Sequence, residues 1–146
     1  DRRQERFMIA ANAPDLDENW DNGSDEWRGR ASMSERHRFL LLRPGGLPEG
    51  DTMARWFNIL VYGLADEANR QRAIFTLEGM RAAALEMTKA MDWSGKIGLY
   101  FVIYGHTTCT SPLHVVDLSR VGPSFKALQF KLLALDDALA VIREGG

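Results

Sequence analysis

The sequence predicts a single α+β domain, a mostly antiparallel sheet of about four strands packed by about three helices. Three observations predict it. Four short runs are rich in β-branched and aromatic or other apolar residues and are bounded by breakers such as Gly, Ser and Pro. Longer stretches repeat their apolar residues in steps of three and four, the mark of a helix with one buried face. The resulting order β, loop, β, α, α, β, β, α layers helices against one sheet. A chain of 146 residues suits one domain.

Residues 1–36 read as an irregular N-terminal segment and 37–146 as the globular core. Phe7–Ala11 is short, apolar and expected to be a strand. Asn12 to Ser34 reads as loop: Pro14, Gly23 and Gly29 break regular structure and a crowd of acids repels itself. Trp20 and Trp27 predict that this loop packs rather than floats. His37–Arg43 reads as a second, central strand, stopped by Pro44-Gly-Gly46.

Asp51 is placed to cap a helix carrying Met53, Trp56, Phe57, Leu60, Val61 and Leu64. A second helix spans Asp66 to Met91, with Ile74, Leu77, Met80, Ala84, Met87 and Met91 on one face. The runs Ile97–Tyr104 and His114–Leu118 are expected to pair antiparallel. Pro123 opens a last helix with the stripe Phe125, Leu128, Leu132, Leu135, Leu139 and Ile142, widened by Phe130, Leu133 and Val141.

Composition narrows the function classes. Net charge −2 and pI about 5.9 lack the basic excess of a nucleic-acid or membrane-surface protein. No apolar run of about 18 residues is present to cross a membrane. One cysteine permits no internal disulfide and fits an intracellular, reducing site. The chain opens on Asp1 rather than Met, which fits a processed product or an excised domain. No cofactor motif occurs.

Four groups of residues invite chemistry. The first is His106, Cys109, His114 and Asp117, where a thiol with a neighbouring base could make a nucleophile and the same four could ligate zinc; the reading against it is a polar hairpin loop around a buried thiol. The second is Asp15, Asp17, Asn19, Asp21 and Glu26, spaced like the oxygen ligands of a calcium loop; Trp20 stands where that loop needs glycine, so a solvated acidic loop is expected and no metal. The third is Trp27, Arg28, Arg30, Arg36 and Arg38, with His37 and Arg43 beside them, where arginine next to tryptophan could clamp phosphate and stack a base. Nine acids accompany eight arginines over residues 1–43, so a salt-bridged surface is the expected reading there. The fourth is the apolar surplus of Phe130, Leu133 and Trp93, suited to a partner surface.

A helix, a turn, a strand ending in Tyr104-Gly105 and then Ser111-Pro-Leu-His-Val-Val116 resembles the C-terminal half of the histidine-triad nucleotide hydrolases over residues 77 to 118. That family's alternating histidines are represented by His114 alone, with Val116 and Leu118 where more are needed, so its activity is not carried over. The leading expectation is a non-enzymatic interaction or assembly module, whose partner is another protein or a second copy of itself. A small hydrolase or transferase using His106, Cys109 and His114 comes next, and RNA or single-stranded DNA binding through Arg28 to Arg38 third.

Overall fold

The computed structural model describes residues 6–43, 64–93, 95–102 and 112–144. Within them, five strands form one antiparallel sheet: β1 (Phe7–Ala11), β2 (His37–Leu42), β3 (Ile97–Val102), β4 (Leu113–Asp117) and β5 (Leu132–Ala134). The spatial order is β1-β2-β4-β3-β5, so β4 sits at the centre and all five of its residues are buried. The four strands expected from sequence are all present. The helices described are α1 (Pro14–Glu18), α2 (Glu67–Ala90), α3 (Pro123–Leu128) and α4 (Leu135–Arg143). The helix expected from Asp51 lies outside the described residues.

One sheet face carries the main core. Phe7, Leu40, Leu113, Val115 and Phe101 meet Ala73, Leu77, Met80, Ala84 and Met87 of α2, and Leu135, Ala138, Leu139 and Ile142 of α4. The steps of four and three along α2 explain why that face faces the sheet. Asp66 caps α2 by accepting the Asn69 N–H at 2.8 Å. At its other end Asp92 takes a left-handed φ of 57°, and the Trp93 N–H returns to the Thr88 carbonyl at 2.9 Å.

The opposite face holds a smaller core of Met33, Val102, Val116 and Phe125, with Tyr100, Leu128 and Leu132 beside it. Its cover is the N-terminal stretch 12–36 together with α3. That stretch is not a free tail. The Met33 carbonyl accepts from Gly122 N–H at 2.9 Å, Ser124 Oγ accepts the Gly29 N–H and donates to the Trp27 carbonyl, and Ser34 bridges Val121. Gly122 fits because the Trp20 carbonyl occupies the space a Cβ would need.

The C-terminus corrects the sequence reading. No continuous helix runs from Phe125 to Ile142: a 3₁₀ turn at Gln129–Lys131 and β5 separate α3 from α4. The cause is the sheet edge. Leu132, Leu133 and Ala134 pair with Val102, Phe101 and Tyr100, completing a β3 ladder left open beyond β4. Adjacent apolar residues then serve opposite faces, Leu132 the smaller core and Leu133 the main one. Phe125 and Leu135 consequently belong to different cores rather than to one stripe. No helix among the described residues is long and apolar enough to cross a membrane.

Candidate functional site

The antiparallel register of β2 and β4 places Phe39 opposite His114 and His37 opposite Val116. His37, Phe39, His114 and Val116 therefore share the face covered by residues 12–36. The two imidazoles stack with ring centroids 5.2 Å apart, and Phe39 meets the His114 ring edge-on at 4.9 Å. Both histidines are buried.

Hydrogen bonds decide where their protons sit. His37 Nδ1 lies 3.1 Å from both the Met33 backbone nitrogen and Asn12 Nδ2. A backbone N–H can only donate, so Nδ1 is an unprotonated acceptor. Burial first, then the neighbouring His114 and Arg38, hold the His37 pKa down to about 3, so the ring is neutral at pH 7. Neutral His37 carries its proton on Nε2 and donates it to His114 Nδ1 at 3.0 Å. Burial lowers the His114 pKa to about 4, so this ring too is neutral, and with Nδ1 accepting, its proton is on Nε2. No described residue takes that proton.

The polar chain continues behind the pair. Asn12 Nδ2 donates to Ser32 Oγ at 2.8 Å, and the Ser32 hydroxyl donates to the Asp17 carboxylate. Arg38 pairs with Asp17 at 3.7 Å. The network fixes the cover segment to β2 and fixes the His37 tautomer with it.

In front of the pair lies a cavity of about 230 Å³. His37, His114, Asn12 and Arg30 give it polar walls, and Met33, Phe39, Val102 and Leu128 give it apolar ones. Arg30 stands exposed at its border, its guanidinium 5.4 Å from the Trp27 ring centre and donating to the Glu26 carbonyl. What the arrangement offers, among the described residues, is an N–H donor in a partly apolar recess beside the Arg30 guanidinium. It offers no imidazole lone pair, because both Nδ1 atoms are occupied.

Of the residues singled out from sequence, His114 and Arg30 reach this cavity. His106 and Cys109 lie outside the described residues. Asp117 sits three residues after His114 on β4, hence on the other sheet face, and accepts from the Ser119 N–H and hydroxyl instead of orienting an imidazole. Arg28 pairs with Asp25, Arg36 donates to the Asp92 carbonyl and Arg38 serves Asp17. Asp15 and Asp17 fall in α1, two positions apart and so on different sides of the helix. Asp15 accepts from the Leu16 N–H, Asn19 donates back to the Asp15 carbonyl, and Asp21 and Glu26 are exposed. Among the described residues no three His, Cys, Asp or Glu side chains gather to hold a metal ion. Trp93 is buried in the main core, Leu133 is half-buried against it, and Phe130 is 80% exposed.

Asn12, Met33 and Phe39 were not singled out from sequence as site residues, and His37 stood out only as a member of the arginine cluster. The available signal was a histidine in each of two mostly apolar strands; that they meet depends on the β2–β4 pairing, which one sequence does not display. Comparison with protein-family models, with curated proteins and with solved structures finds no match.

Proposed function

We propose that the chain is a non-enzymatic binding module and that the cavity in front of the histidine pair is its ligand site. One observation carries this: His114, buried and neutral, lines a cavity while holding a proton that no described residue accepts. Pinning the cover segment to the sheet needs His37 and an acceptor at position 114; it does not need a second N–H. His114 lines the cavity, and a bound acceptor would take its Nε2 proton in a partly apolar recess, where a hydrogen bond is stronger than in water. The competing hydrolase or transferase reading asks His114 for a base, and its remaining nitrogen is already protonated. The nucleic-acid reading asks for a shared basic surface, whereas Arg28, Arg36 and Arg38 are each engaged separately.

The test is amide chemical-shift mapping with small aromatic and aliphatic acids, amides and alcohols. Saturable shifts gathered at Ala31, Met33, Phe39, Val102 and His114 are expected. Shifts gathered elsewhere, or none, would overturn the proposal, and turnover abolished by Cys109→Ser would replace it with the enzyme.

A second reading, contact with another protein or a second copy, is favoured by Phe130, whose ring stands 80% exposed on the turn before β5. Sedimentation velocity checks it: Phe130→Ala should weaken self-association more than tenfold, and a chain monomeric at every concentration removes the second copy as partner. The single cysteine supports an intracellular site for either reading.

A further inference from the structure

Resting on that reading of the cavity, we infer that its ligand is a small monocarboxylate with an apolar body, the carboxylate held between His114 Nε2–H and the Arg30 guanidinium. Charge argues for an anion. Arg30 borders the cavity, and none of the described residues lining it is an Asp or Glu. The nearest carboxylate of the network, Asp17, already accepts from Ser32 and pairs with Arg38. The remaining donor is an N–H, which matches an acceptor oxygen and gives nothing to a ligand cation.

Charge count argues for a single negative charge. One guanidinium and one neutral N–H match a carboxylate, whose two oxygens can each take one of them. A phosphate dianion would leave a second charge unbalanced beside the buried His37–His114 pair. Arg30 is also held ready: the Trp27 ring below it and the Glu26 carbonyl restrict a side chain that would otherwise lose rotamer freedom on binding.

Shape argues for the body. Met33, Phe39, Val102 and Leu128 form the apolar walls, and about 230 Å³ lies below the roughly 300 Å³ where sites for drug-sized ligands begin. A short aliphatic or single-ring acid fits that description.

The experiment titrates the full chain at pH 7 with hexanoate and phenylacetate, with their neutral amides hexanamide and phenylacetamide, and with inorganic phosphate, reading affinity by calorimetry or amide shifts. Each carboxylate should bind at least about tenfold tighter than its amide. Arg30→Gln should remove most of that ratio by weakening the carboxylates much more than the amides, and an unchanged urea unfolding curve shows that the variant is folded. Amides binding as tightly as acids would overturn the carboxylate and leave the cavity as a binding site. A ratio unaffected by Arg30→Gln would overturn the part given to Arg30, and phosphate outcompeting both acids would overturn the monoanion. Failure of every compound, amides included, would remove the ligand site itself.

Discussion

Acid should act on this fold first through the imidazole pair. Unfolded, each histidine takes a proton near pH 6.5; folded, His37 is held to about 3 and His114 to about 4. The unfolded chain therefore binds more protons than the folded one across that window. Stability is full above about pH 6.5 and falls as pH drops towards the folded values. At pH 5 protonation favours the unfolded chain by about 2 kcal/mol for each histidine, or about 4 kcal/mol for the pair. That is a large share of the roughly 5–15 kcal/mol that holds a domain of this size folded. Urea unfolding followed by tryptophan fluorescence at pH 7 and pH 5 measures the loss. His114→Asn keeps an acceptor for His37 Nε2–H and deletes one titration, so its loss over the same interval should be smaller by about 2 kcal/mol. Equal losses in wild type and variant would refute the claim that His114 is buried and neutral.

Three further outcomes follow from the packing. Thr76 is 1% exposed and its hydroxyl has no hydrogen-bond partner among the described residues, so Thr76→Val should raise stability by about 1 kcal/mol in the same urea assay. Gly122→Ala should push the Trp20 carbonyl away and cost about 1–3 kcal/mol, with a change in near-ultraviolet dichroism as the cover loosens. Leu135→Ala, in the main core and fully buried, should cost about 2–5 kcal/mol by thermal melting.

Local patterns were legible where one face of an element does the burying. The α2 stripe from Leu77 to Met87 and the Asp66 boundary are readable because helical period and capping are properties of neighbouring residues. The C-terminus was misread because Leu132 and Leu133 widen a helical stripe as well as they furnish a strand between two covered faces; the choice was made by the open edge of β3, remote in sequence. The site was half legible for a related reason. His114 stood out as a polar residue in a mostly apolar strand, but its significance comes from His37, 77 positions earlier, and from Asn12 and Met33 in a stretch that reads as irregular loop. Asp17 and Arg38 read as surface charge, and in the fold they pair behind the buried network.

The central claim is that the cavity is faced by a neutral N–H donor and not by a base. Long-range ¹H–¹⁵N correlation of the imidazole rings at pH 7 tests it most directly, because it distinguishes a protonated from an unprotonated ring nitrogen in each histidine. Both His37 and His114 should be neutral, with the proton on Nε2 and Nδ1 unprotonated, and should stay so down to about pH 5. A His114 ring protonated on Nδ1, or charged on both nitrogens at pH 7, would contradict the account.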